Sequence, residues 1–294
     1  MIAHYRTLMS TILLSALAVV GCGSDGGDSL SEAPSLFGEL PPGAISTEQM
    51  GETDELVVLM VFDPALVRDE VPDGLRLETL GETEDRDSIV AAYLEKHPEH
   101  RDWTRGVYEV MTTTSLRVDD REARLGPRGG LAAWFAFVVA TKTADSRPDG
   151  GHLLSLATWV SDREFAEYAS EIGYPWDGAD IEYWVDDRGV VHGRLQAAGV
   201  TLEGSCEPIG EPRAENYELP AYQTIWAPRS RGAVDEFVTF YGHKYQACES
   251  AEWTVEGDHP LARAFRSRGI GGEQIDSSEF LSGYSLRGGL YPRP

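Results

Sequence analysis

Lysine is nearly absent: Lys96, Lys142 and Lys244 are the only ones among 25 basic residues in a chain of 294. A mechanism that needs a buried amine nucleophile therefore has few places to put one. Positive charge as a whole is scarce, 25 Lys and Arg against 49 Asp and Glu, giving a formal net charge of −24. That balance argues against a nucleic-acid partner, whose phosphates need basic contacts. It also gains nothing from anionic lipid head groups, so charge cannot anchor the protein to a membrane. No apolar run reaches the roughly 20 residues of a spanning helix. There is no internal repeat, no Rossmann or P-loop glycine motif, and no Gly-x-Ser-x-Gly elbow to present a nucleophilic serine. Cysteine is rare as well, at three residues, and each can be given a role.

What is present begins at the N-terminus. Arg6 precedes an apolar stretch, Leu8 to Val20, broken by Ser10, Thr11 and Ser15. A charged start, a short apolar centre and small residues at the exit form the tripartite pattern of a secretory signal. The exit, Val19-Val20-Gly21-Cys22, resembles the lipobox of bacterial lipoproteins, which implies cleavage before Cys22 and lipid on its thiol. Two or three acyl chains on one residue give stable attachment. The expectation is an extracytoplasmic protein held on a bacterial membrane: signal peptide 1–21, a flexible Gly, Ser, Asp and Pro-rich tether 22–50, and a folded domain 51–294. Cys206 and Cys248 remain, an even pair in a compartment that permits oxidation. They read either as a disulfide or as two buried thiols.

The folded part reads mainly as strands. Leu56 to Phe62 is an apolar, β-branched run of strand length. Asp63-Pro64 offers a cap and first-turn proline for a short helix closed by Pro72. A second helix starts at Asp87 or Ser88 and ends by His97-Pro98. Strands follow at Val107–Val118, Leu131–Thr143 and Leu153–Val160, joined by Gly and Pro-rich turns. Ser161 to Glu164 forms a capping box for a helix that Gly173 stops. Ile181–Val185, Val190–Leu195 and Val200–Cys206 continue as hairpins. The last third reads as a strand at Tyr222–Ala227, a helix at Ala233–Tyr241, a strand near Ala251–Val255, a short helix near His259–Arg268 and a Gly-rich tail. Short helices among many strands, without a βαβ rhythm, predict an α+β fold: an antiparallel β-barrel or curled sheet with flanking helices.

In this order the segments resemble the acetoacetate decarboxylase-like family. Three stretches carry the likeness: Val61 to Leu75, with its Val-Pro turn; Gly106-Val107-Tyr108-Glu109-Val110; and Glu171-Ile172-Gly173-Tyr174-Pro175-Trp176-Asp177, followed by the hairpin Val185 to Gly193. The resemblance implies a β-barrel with a small-molecule cavity. In that family two lysines follow the Tyr-Pro turn, and one forms a Schiff base with a ketone substrate. Here Trp176 and Asp177 stand there, and neither can form an imine. The resemblance keeps the glutamate as Glu109, and Gly51 to Glu55 occupies the region of the family's arginine.

Three functions stay open at this level. Glu109 and Asp177 could face one cavity as an acid–base pair, walled by Tyr174, Trp176 and Tyr108. The same cavity could bind a small carbonyl or carboxylate ligand without chemistry. In the plainest reading Asp177 faces water, Glu109 pairs with Arg105 or Arg117, and side chains fill the barrel. His97-Pro98-Glu99-His100 does not recreate a recognised zinc spacing, so neither a metal nor a cofactor is expected. Asp258-His259-Pro260 reads as a helix start.

Overall fold

The apolar run after Glu55 forms most of strand β1, Ser46–Phe62, whose residues from Glu55 onward are all buried. A strand buried on both faces must be covered twice, and this requirement organises the molecule. The computed structural model describes residues 44–140, 151–214, 221–229, 233–240, 244–267 and 278–292. Cys22, the signal segment and Lys142 lie outside them. β1 begins at Ser46, inside the stretch assigned to the tether.

The other strands are β2 (Leu75–Leu77), β3 (Thr104–Thr113), β4 (Leu116–Val118), β5 (Arg121–Glu122), β6 (Leu131–Ala140), β7 (Gly151–Val160) and β8 (Trp176–Gly178). They are followed by β9 (Asp180–Val185), β10 (Val191–Ala197), β11 (Val200–Ala214), β12 (Ala221–Trp226), β13 (Ala233–Phe240), β14 (Lys244–Gly257) and β15 (Ser278–Pro292). The helices are α1 (Leu80–Thr83), α2 (Ser88–Lys96), α3 (Arg163–Glu171) and α4 (Pro260–Ser267). The pairings run round a ring, β1–β3–β6–β7–β12–β13–β15 and back to β1. All are antiparallel except β7–β12. From β15 the sheet continues through β14, β11 and β10 to β9. The protein is thus an α+β fold with a β-barrel and a sheet extension.

Alternation along the strands separates two faces. Val57, Leu59, Val107, Ala133, Phe135, Phe137, Leu153 and Ile225 meet in one cluster drawn from five ring strands, so theirs is the inner face. Leu56, Val58, Met60, Tyr108, Val110 and Trp134 point the other way and pack against Ile181, Tyr183, Val191, Leu195, Leu202 and Phe265 of the extension and α4. The two layers touch closely: a Cβ at Gly193 would lie 2.2 Å from Val110 Cγ1. Cys206 of β11 and Cys248 of β14 form a disulfide with Cα atoms 5.2 Å apart.

Several local expectations need correction. Ala233–Phe240 is a strand, not a helix. Its Val234, Phe237, Val238 spacing suits either element, and ladders to β12 and β15 on both sides decide the matter. The Gly-rich tail contains β15, which closes the ring, so Gly288 and Gly289 are held by two neighbours. The Pro64 segment forms two 3-10 turns, Pro64–Leu66 and Arg68–Glu70. Asp162, not Ser161, caps α3, accepting from Phe165 N at 3.1 Å. Ser161 Oγ instead accepts from Gly130 N. β3 and β4 split the single strand read at Val107–Val118.

Candidate functional site

The inner face gathers polar groups into one row. Register places Val57, Glu109, Ala133, Thr158 and Trp176 side by side across β1, β3, β6, β7 and β8. Trp176, at the first position after the Tyr-Pro turn, therefore lies in the same row as Glu109. Glu55 sits one row further along, opposite Met111, and is buried. A bulge at Leu156 also turns Ser155 inward, and its Oγ lies 2.9 Å from Thr158 Oγ1. Below the Glu109 row is the apolar cluster of Val107 and Phe135. Above it Met111, Leu131, Val160, Tyr174 and Trp176 form a second cluster against α3.

Glu109 is enclosed by protein yet keeps some accessible surface. Burial raises its pKa well above the usual carboxylate range, and the negative charge of Glu55 adds to the effect. Arg105 is not its partner. The Arg105 guanidinium binds Glu78 at 2.7 Å and Asp87 at 3.0 Å, all three nearly buried, and it stacks over Phe137 at 4.7 Å. Asp87 also caps α2 through Ile89 N and Val90 N. The charged insertion thus closes one end of the barrel.

Asp177 and Tyr108 do not join this row. Asp177 is paired with Trp159 and shares the outer face with it, so the proposed Glu109–Asp177 acid–base pair is split by the sheet. The cause is period-2 alternation: Asp177 follows Trp176 and must point the other way. Tyr108, adjacent to Glu109, is likewise outward and buried. It packs edge-on against Trp253 and Phe265 with ring centroids 5.6 Å away in both cases. Tyr108 is core between the two layers, not a cavity wall.

The outer face has a cavity of about 350 Å³ lined by the two 3-10 turns together with Trp134, Trp159, Pro175, Asp177 and His259, among others. His259 lies edge-on to both indoles, at 5.7 Å from Trp159 and 6.5 Å from Trp134. Its Nδ1 accepts from Leu261 N at 3.2 Å, which leaves Nε2 to carry the proton of the neutral ring. Burial, then Arg263, lowers its pKa and favours that neutral form. Sequence reading placed His259 at a helix start and missed this role. The signal was the aromatic pair Trp134 and Trp159, diagonal neighbours on the outer face of β6 and β7, which only register brings together.

No protein-family model and no curated protein matches the chain. Among solved structures it is similar to an acetoacetate decarboxylase-like enzyme from Sphingomonas wittichii RW1, with a TM-score of 0.46 and 13% identity over 83% of this chain and 91% of that one. It is similar to the enduracididine biosynthesis enzyme MppR with HEPES buffer bound, at 0.43 and 14% over 93% and 96%. It is also similar to an acetoacetate decarboxylase from Legionella pneumophila, at 0.45 and 8% over 92% and 97%. Likenesses this distant leave the chemistry to the chain's own residues.

Proposed function

We propose that this is a lipid-anchored, extracytoplasmic protein that binds a small carbonyl or carboxylate compound inside its barrel, with Glu109 as a protonated carboxyl donating to a ligand oxygen. The observation that supports the reading is Glu109 itself, an enclosed carboxyl beside Glu55 on an inner face that also carries Thr158 and Ser155, retaining accessible surface. A carboxylic acid kept neutral by an apolar site can act as a hydrogen-bond donor where an ionised one cannot. Trp176 stands where the resemblance places a Schiff-base lysine, so the binding is imine-free. Lys96 and Lys244 are exposed.

The test is a thermal-shift and calorimetric screen of small ketones and oxo acids, led by acetoacetate, at two pH values. Binding should weaken as pH rises through the Glu109 pKa, and Glu109→Gln should remove that dependence. Borohydride with acetoacetate should leave no lysine adduct; an adduct overturns the imine-free reading. A second reading rests on the outer cavity, whose volume lies in the range of small-ligand sites. In that case Asp177→Asn and His259→Phe weaken binding and Glu109→Gln does not.

The address rests on the lipobox pattern ending at Cys22 and is supported by the Cys206–Cys248 disulfide, which suits an oxidising compartment. Among the described residues no helix is long and apolar enough to cross a membrane. A fatty-acid analogue should label the wild type and not Cys22→Ser.

A further inference from the structure

The charged insertion carries a second arrangement, separate from the Glu109 row of the barrel wall. α2 ends at Lys96, and His97 N–H still bonds to Tyr93 O as the helix closes. Pro98 then starts a 3-10 turn, Pro98–His100. Three residues per turn bring positions 97 and 100 onto one side, so the backbone itself places the two imidazoles together. Their rings are 5.4 Å apart and within 12° of parallel.

The donor atoms converge. His97 Nδ1 is 3.5 Å and His100 Nε2 3.9 Å from the same oxygen, Glu99 Oε1, and the three ligand atoms all lie within 4.8 Å of one another. Ligands held about 2.0 to 2.2 Å from a tetrahedral ion are separated by about 3.4 Å. The two distances to Glu99 lie within about 0.5 Å of that value, inside the freedom of an exposed glutamate, and the two imidazole nitrogens, within 4.8 Å of each other, close by at most about 1.4 Å through rotation of the His97 side chain. His100 is also held in place. Its other nitrogen, Nδ1, is 2.6 Å from Tyr93 Oη, and the Trp103 ring stacks on it at 3.7 Å. A ligating histidine whose second nitrogen bonds to a fixed oxygen is the arrangement that orients the ring and sets its tautomer. The net charge of −24 raises the local concentration of cations.

The geometry points to a first-row divalent metal site of the Zn²⁺ or Cu²⁺ class formed by His97, Glu99 and His100, with Tyr93 as positioning residue and a coordination position left to water. Two imidazoles and a carboxylate suit such ions and not Mg²⁺ or Ca²⁺, which prefer all-oxygen sites. This reverses the expectation, drawn from sequence spacing, that no metal binds. It is independent of the ligand proposed for the barrel.

The experiment uses the full-length chain stripped with chelator, then titrated with Co²⁺ followed by visible absorption and with Zn²⁺ followed by calorimetry. One equivalent should bind, with a tetrahedral-type Co²⁺ spectrum that Zn²⁺ displaces and Mg²⁺ does not. Glu99→Gln, an exposed change that leaves the aromatic stack in place, should weaken binding at least 10-fold. His97→Ala combined with His100→Ala should abolish it. Tyr93→Phe should weaken binding by about 10-fold to 100-fold, with the circular dichroism of the fold unchanged. Failure of the wild type to bind one equivalent, or equal binding by Glu99→Gln and the double histidine variant, overturns the proposal.

Discussion

Glu109 and Tyr108 are neighbours in β3, and Trp176 and Asp177 are neighbours in β8, yet each pair is divided between two environments. The inner residues, Glu109 and Trp176, share a row with Thr158 across the barrel wall. The outer ones lie under the extension or beside the cavity that His259 lines. The difference shows how one strand can supply an inner-face carboxyl and an outer-face packing group in consecutive positions. It also shows why Asp177, on the opposite face of β8 from Trp176, cannot serve a site on the inner face.

The comparison can be broken most directly at residues 176 and 177. Trp176→Ala removes an indole that is 5% exposed and should cost about 3–5 kcal/mol in chemical denaturation. Asp177→Asn, one residue on and exposed, should stay within about 0.5 kcal/mol of wild type. Equal effects would mean that the two side chains do not face different surroundings. Of similar size to the first is Arg105→Ala, which strands the nearly buried carboxylates of Glu78 and Asp87 and should cost about 3–5 kcal/mol. On the outer layer, Cys206→Ala with Cys248→Ala should cost about 2–4 kcal/mol, the ordinary worth of a disulfide. Reducing agent should destabilise the wild type and leave the double variant unchanged.

The smaller effect at Glu109 is sharper because it has a sign. A carboxyl whose folded pKa is raised contributes stability that is fully present below its unfolded value, about 4.3. That contribution falls as pH rises toward the folded pKa. Glu109→Gln should therefore match the wild type near pH 4 and become the more stable of the two as pH rises. In melting experiments each kcal/mol appears as a shift of about 2–4 °C. Parallel melting curves across this range would place Glu109 in water.

Much of the barrel was legible because its signals are local. The β-branched run before Phe62, the Asp87 cap and the Gly173 stop each act within one element. β15 was not legible, since what makes it a strand is closure of a ring with residues more than 200 positions away, such as Leu290 with Ser46, and β13 is a strand because it lies between β12 and β15. Glu109 was readable from its motif. The separation of Asp177 from it was readable too, had strand alternation been weighed against the expectation of a shared cavity. His259 could not be assigned to a cavity, because the indoles beside it come from β6 and β7.

The central claim is that burial beside Glu55 holds the Glu109 pKa well above the usual carboxylate range, and infrared spectroscopy across a pH series reads this directly. Above the pH at which exposed carboxylates ionise, the wild type should still show the C=O stretch of a protonated carboxylic acid that Glu109→Gln lacks, with Asp177→Asn retaining it. A wild-type spectrum indistinguishable from that of Glu109→Gln in this region once exposed carboxylates have ionised would contradict the account.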